Sequence, residues 1–373
     1  PFPKWSSASP TSSPWCFQSP NTHQPLQHRI KSRSGIACSM SIEDFMGRPL
    51  RDLRISITDR CNFRCTYCMP REKFGTDHTF LAKEEILSYE EMTTVVESLL
   101  PLGLQKVRIT GGEPLLRKDL SVFVAMLRDL DSGLDIALTT NGVLLEKHAL
   151  TLFEAGLNRV TVSIDSVDVE MFQSITDSKN TPEEVFTGIE KAQQCGLGVK
   201  VNCVVKNGVN AQEIIPLVRA CSQRKIAVRF IEFMDVGTTN NWNLESVVTG
   251  EEMRQIITNN FGNLKKVPAQ HPSDVARMWS LEDGTEIGFI ESVSHPFCGN
   301  CSRARLSAHG SIYTCLFSES GVDIRSILRF GATNEEVAKL IQEIWTKRKD
   351  RYSEIRGEAN TERKPVEMSF IGG

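Results

Sequence analysis

The stretch "LRISITDRCNFRCTYCMP" (residues 53–70) decides the reading of this chain. Its first six residues alternate apolar and polar, as a strand does. Three cysteines follow at once: Cys61, Cys65 and Cys68, spaced Cys-x3-Cys-x2-Cys. Thiolates this close in sequence ligate zinc or iron–sulfur clusters. A structural zinc ion takes four ligands, for which His78 is available. A four-iron cube held by three cysteines instead leaves one iron open to a small molecule.

Outward from this stretch a βα rhythm continues. "KVRIT" (106–110), "DIALTT" (135–140), "RVTVSID" (159–165), "VKVNCVV" (199–205) and "AVRFIEFM" (227–234) are short runs rich in Val, Ile, Thr or Phe. Helical periods lie between them. Ile86, Tyr89, Met92, Val96 and Leu99 fall on one stripe, and 144–156 and 183–196 read as helices closing at glycine. Strands alternating with helices predict a parallel sheet, here a partial (βα)6 TIM-like barrel over residues 43–265. In such barrels chemistry collects at the C-terminal ends of the strands. The cysteine triplet, "GGEP" (111–114), "NG" (141–142), "DS" (165–166) and "MDVG" (234–237) all fall on that rim.

After residue 265 the pattern changes. A hairpin is predicted over 276–292 around Asp283-Gly284, and an amphipathic helix over 334–350. Between them "FCGNCSRARLSAHGSIYTC" (297–315) holds a second triplet, Cys298, Cys301 and Cys315. Either His295 or His309 would complete a zinc knuckle; without one, a second cube with an open iron is the other possibility. Arg303 and Arg305 stand beside Cys301, and Arg54, Arg108 and Lys200 lie on predicted strands. Charge on a strand is costly unless it meets a ligand or partner, and arginine suits phosphate. Together these cations suggest an anionic, polyphosphate-bearing substrate. No GxxxxGK[ST] loop is present, which argues against an ordinary GTPase.

The 373 residues carry a net charge of −3, so no global basic field points to nucleic acid as a partner. No apolar run is long enough for a membrane span. Of eleven cysteines, six fall into the two triplets, which favours metal ligation in a reducing compartment over disulfides. Residues 1–42 contain no Asp or Glu, are rich in Ser and Pro, and carry Lys4, Arg29, Lys31 and Arg33. That composition is the one expected of a disordered organelle transit segment.

At these motifs the chain resembles a known family. "CNFRCTYC" and "TGGEP" (110–114) are similar to the cluster loop and glycine motif of radical S-adenosylmethionine (SAM) enzymes. "GRPLRDLRISITDRCNFRCTYCMP", "RFIEFMDVG", "FCGNCSRARLSAHG" and the terminal Gly372-Gly373 together resemble the GTP 3′,8-cyclases of molybdenum cofactor biosynthesis, over roughly residues 43–373.

The resemblance implies two [4Fe–4S] clusters, one on Cys61, Cys65 and Cys68 and one on Cys298, Cys301 and Cys315, in a C-terminal region of residues 266–373. It implies SAM contacts at Tyr67, Gly112, Ser163 and Met234. It also implies GTP contacts at Arg54, Arg108, Thr139, Lys200, Arg303, Ala304 and Arg305, with Arg54, Arg303 and Arg305 as catalytic residues. In such enzymes a SAM-derived 5′-deoxyadenosyl radical removes H3′ of GTP, and the C3′ radical attacks guanine C8. A homodimer, an external electron donor and a downstream cyclic pyranopterin monophosphate synthase are also implied. So is a eukaryotic, plant-like form in the mitochondrial matrix. Two rival readings remain at this stage: a peptide-modifying radical SAM enzyme and a zinc-stabilised binding module.

Overall fold

The computed structural model describes residues 41–269, 271–357 and 364–372. Residues 1–40, which hold nearly all of the transit-like segment, and Gly373 lie outside the described residues. Six parallel strands follow the predicted rhythm: β1 (Asp52–Ser56), β2 (Lys106–Thr110), β3 (Asp135–Thr140), β4 (Arg159–Ser163), β5 (Gly198–Val205) and β6 (Ala227–Glu232). β7 (Lys265–Val267), β8 (Arg277–Ser280), β9 (Glu286–Ile290), β10 (Arg303–Leu306), β11 (Ser311–Tyr313) and β12 (Val322–Asp323) complete one twelve-stranded sheet. Its order is β12-β11-β10-β1-β2-β3-β4-β5-β6-β9-β8-β7. Among the described residues no ladder joins the two ends, so the sheet is an open, partial barrel.

The sheet extends the six predicted units in a way the sequence did not signal. β10 adds to β1 and β9 adds to β6, both parallel, so the C-terminal region widens the barrel at both edges. The hairpin around Asp283-Gly284 forms as β8 and β9.

The helices α1 (Tyr89–Leu99), α2 (Leu120–Leu130), α3 (Leu145–Glu154), α4 (Val169–Thr176), α5 (Pro182–Gln194), α6 (Ile214–Gln223) and α7 (Gly250–Phe261) follow the strands. Their ends are written in the sequence. α5 has Pro182 at its first turn and a Thr181/Glu184 capping box, and Gly196 follows it with φ +97°. α8 (Arg325–Arg329), α9 (Asn334–Thr346), α10 (Tyr352–Ile355) and α11 (Met368–Ile371) belong to the C-terminal region. The helix predicted over 334–350 ends at Thr346 because the next residues turn inward, where Arg348 bonds Asp44 and the Cys301 carbonyl.

Strand alternation separates core from site. Leu53, Ile55, Val107, Ile109, Ile136, Leu138, Val160 and Val162 are fully buried on one face. Each such side chain stabilises the fold by roughly 1.5–3 kcal/mol. The residues between them turn to the barrel interior. Register then sets Arg54 beside Arg305 on one side and Arg108 on the other.

Candidate active site

One cavity of about 340 Å³ opens at the C-terminal ends of the strands. Cys61, Cys65 and Cys68 line it from the loop after β1, and Cys298, Cys301 and Cys315 line it from the loops around β10 and β11. The first loop is pinned by Arg64, which donates to the carbonyls of Cys61 (2.9 Å), Phe63 (2.8 Å) and Phe74 (2.7 Å). A turn brings the Cys68 and Met69 amides onto the Cys65 carbonyl.

Burial pushes the Cys61 thiol up to about 11, and burial with the neighbouring Cys61 pushes Cys68 up to about 12. Burial raises the Cys65 thiol as well, so all three thiols resist ionising here unless a metal group balances them. Cys301 differs. Burial alone would raise it, but Arg303 and Arg348 overturn that and bring it to about 6. Arg303 Nη2 lies 3.3 Å from Cys301 Sγ.

The donor set fits a cluster. A four-iron cube gives each thiolate its own iron, whereas zinc needs its ligands gathered on one point. Among the described residues no three His, Cys, Asp or Glu side chains gather that way. The histidines left open as zinc ligands have other partners. His78 packs between Phe74 and Phe80, His295 bonds Ser294, and His309 sits between the hydroxyls of Ser307 and Ser311.

Beside the first triplet, Gly112 crosses the preceding loop closely, with its amide on the Thr58 carbonyl (2.8 Å). Glu113, 1% exposed, ties this loop to the next rim loop. It accepts from Thr140 Oγ1 (2.7 Å), Leu115 N (3.0 Å) and Asn141 N (2.8 Å). Burial still lifts its carboxyl to about 7. The Tyr67 hydroxyl donates to Asp165 Oδ2 (2.6 Å), and Asp165 Oδ1 accepts from Val204 N (2.8 Å). Tyr67 is thereby held against the cavity wall. Ser163 and Met234 also line the cavity.

The opposite wall is cationic. Burial and its neighbours Arg108 and Arg303 bring Arg54 down to about 9; burial and Arg229 bring Arg108 down to about 10. Arg305 is lowered by burial and by Arg54. At neutral pH guanidinium groups remain charged, so this wall repels itself until an anion arrives. Arg108 donates to Thr139 Oγ1 (3.1 Å) and Thr161 Oγ1 (3.2 Å). Arg305 also donates to the carbonyl of Gly372, so the C-terminal tail enters the site. Met368 and Ser369 of that tail line the cavity.

Of the residues to which the family resemblance gives a cluster, SAM or GTP contact, all but two line this cavity. Lys200 and Ala304 are not among the lining residues. Lys200 lies on the interior face of β5 but two positions deeper than Asn202, which does line it. Ala304 is fully buried on the other face of β10, because Arg303 and Arg305 take the cavity side.

The Radical SAM superfamily profile matches residues 55–221, and the Molybdenum Cofactor Synthesis C profile matches residues 226–354. The chain is 46% identical over 337 residues to the GTP 3′,8-cyclase of Staphylococcus haemolyticus, covering 89% of this chain and 99% of the relative. It is 45% identical to that of Staphylococcus aureus, with the same coverage.

The chain belongs to the GTP 3′,8-cyclase family.

The family is one of radical SAM enzymes, which implies a [4Fe–4S] cluster and SAM. Solved structures share the fold. Streptococcus suis SuiB bound to S-adenosylmethionine has a TM-score of 0.54 at 15% identity, covering 83% of this chain and 68% of SuiB. SuiB bound to precursor peptide SuiA has a TM-score of 0.55 at 15% identity, covering 80% and 65%.

The sequence reading of this cyclase site missed Arg229 and Arg348 and gave no role to Glu113 and Asp165, which it had placed on the rim within "GGEP" and "DS"; all four line the cavity. Arg229 carried a usable signal. It is a charge inside "AVRFIEFM", on the same alternation that singled out Arg54 and Arg108. Its guanidinium bonds Asn202 Oδ1 (2.9 Å) and Thr161 Oγ1 (3.3 Å), and Gly288 on the adjacent strand leaves it room.

Proposed function

We propose that this cavity converts GTP to (8S)-3′,8-cyclo-7,8-dihydroguanosine 5′-triphosphate, the first step of molybdenum cofactor biosynthesis. The observation that carries the reading is the convergence of two cysteine triplets and a cationic wall on one cavity. The first triplet would hold the cluster that binds SAM, with Tyr67, Gly112, Ser163 and Met234 as SAM contacts. When bound, these groups supply the hydrogen-abstracting radical chemistry, which belongs to the cofactor and not to the protein. Cys298, Cys301 and Cys315 would hold a second [4Fe–4S] cluster beside the guanine.

The chain itself supplies position and protection. Arg54, Arg108, Arg303 and Arg305 would clamp the triphosphate and ribose, joined by Arg229 and Thr139. The main chain at Ala304 and the deeper Lys200 would contribute from behind them. The clamp and the second triplet would fix the ribose between them, which supplies the proximity term. The cavity wall, closed in part by the C-terminal tail, would keep a reactive carbon from water. Arg54, Arg303 and Arg305 are the catalytic candidates because they face both the substrate's charge and the second triplet.

Arg303→Ala tests this assignment. It should lose at least 100-fold in cyclised product, about 2.7 kcal/mol, while retaining the iron of both triplets. Turnover at the normal rate, read as product fluorescence after oxidation, would remove Arg303 from the mechanism.

The reading extends to partners: a homodimer, an external electron donor, and cyclic pyranopterin monophosphate synthase as consumer of the product. We also propose a eukaryotic, plant-like form sent to the mitochondrial matrix by residues 1–42, on the strength of their acid-free, basic composition. A fluorescent protein carrying residues 1–42 should enter mitochondria in plant cells; cytosolic fluorescence would contradict this.

A further inference from the structure

Two arginines from opposite ends of the chain meet behind the second triplet. Arg48 precedes β1 and Arg348 follows α9, and both are nearly fully buried. They share one carboxylate: Asp44 Oδ2 accepts from Arg48 Nε (2.6 Å) and from Arg348 Nη1 (3.1 Å). Apart from a bond from Arg48 Nη1 to the Asp350 carbonyl (2.8 Å), their remaining hydrogen bonds go to the main chain that carries the cysteines. Arg48 Nη1 donates to the Cys298 carbonyl (2.8 Å). Arg348 donates to the Cys301 carbonyl (2.7 Å) and to the Thr314 carbonyl (3.0 Å), one residue before Cys315. All three points where the chain delivers a cysteine are therefore held by two guanidinium groups.

Stability alone does not account for this arrangement. Burying ions costs several kcal/mol each, and apolar residues of similar volume often serve a fold as well or better. Asp44 balances one of the two charges. Asp350, at a longer 3.5 Å from Arg348 Nε, is a third exposed and balances the other only in part. Arg48 Nη2 is buried with no partner among the described residues. Two guanidinium groups are thus fixed directly on the main chain that carries the three thiols, with Asp350 the more distant and more exposed of the two carboxylates that face them. A four-iron cluster on three thiolates is net negative and becomes more so on reduction. Nearby charge and hydrogen bonding set its potential.

We propose that Arg48 and Arg348, clasped on Asp44, are positioning residues of the second triplet: they hold its three cysteines in place and raise the reduction potential of the cluster bound there. The inference rests on the reading that Cys298, Cys301 and Cys315 hold a [4Fe–4S] cluster. A partly structural role predicts weaker cluster binding in any variant; the charge role predicts a signed shift.

The test is a redox titration of the reconstituted full-length enzyme, followed by electron paramagnetic resonance, with iron counted per chain. Arg48→Gln should lower the potential of the second cluster and speed its loss of iron, leaving the SAM-responsive signal of the first cluster unchanged. Asp350→Asn removes a negative charge at a more exposed position and should raise the potential. Arg348→Lys keeps the charge but not the fork, so the potential should stay near that of the wild type while iron retention falls.

Equal potentials in the Arg48→Gln, Asp350→Asn and wild-type proteins, or shifts of the same sign in the two variants, would overturn the inference. If Arg48→Gln fails to fold, both signals vanish together and the sign of the Asp350→Asn shift decides. A wild-type protein with one signal and about four irons would overturn the second-cluster reading itself, and this inference with it.

Discussion

A Cys65→Ser protein should hold about half the iron of the wild type, about four per chain in place of about eight, and form no cyclised product. Serine keeps the shape of the loop. The Arg64 and Thr66 amides still bond the Thr176 and Ile175 carbonyls, and Arg64 still pins the Cys61 carbonyl. What is lost is the soft ligand, since a serine hydroxyl stays protonated where a thiol can ionise onto iron. The expected spectrum keeps the signal of the second triplet, whose ligands lie on the loops around β10 and β11 and whose supports, Arg48 and Arg348, do not touch Cys65. Turnover within tenfold of the wild type would show that the first triplet is not the seat of the chemistry.

The second large effect is expected at Gly112. A Cβ there would stand 2.3 Å from the Arg60 carbonyl oxygen and 2.5 Å from its carbon. Those atoms are main chain and are pinned: the Glu113 amide bonds the Arg60 carbonyl (2.8 Å) and the Gly112 amide bonds the Thr58 carbonyl (2.8 Å). The methyl must therefore displace either the GGEP loop or the loop that leads directly into Cys61. Overpacking of this kind costs about 1–3 kcal/mol of stability. The larger consequence is for SAM, which the proposed function sets against both loops. Gly112→Ala should bind SAM on the order of 100-fold more weakly, about 2.7 kcal/mol, while GTP binding at the arginine wall changes little. Calorimetric titration of the reconstituted protein with SAM measures this, and an unchanged dissociation constant would contradict the placement of SAM at Gly112.

The six strands from β1 to β6 were legible because each is a short β-branched run and all but β5 are closed by a rim motif, so that the two signals agree. β9 and β10 were not legible as barrel strands. "RARL" has no strand signature of its own. It becomes a strand by pairing with β1, some 250 residues earlier, and only that register places Arg305 beside Arg54. The cysteines could be read from spacing alone, because a loop that ligates metal must carry its ligands close together. Glu113, Asp165 and Arg348 could not. Their roles come from partners brought in by the fold: Thr140 and Asn141 for Glu113, Tyr67 for Asp165, Asp44 for Arg348. Lys200 shows the converse. Charge on an interior strand position was a sound signal, but depth along β5 sets whether such a residue reaches the cavity, and sequence does not give depth.

The central claim is that one cavity holds two open-site clusters, one for SAM and one for GTP. Anaerobic reconstitution of the full chain tests it most directly, with iron and sulfide counted and electron paramagnetic resonance recorded after reduction, alone and with each ligand. The account predicts about eight irons per chain, one signal that shifts with SAM and a second that shifts with GTP. About four irons and a spectrum that GTP leaves unchanged would contradict it.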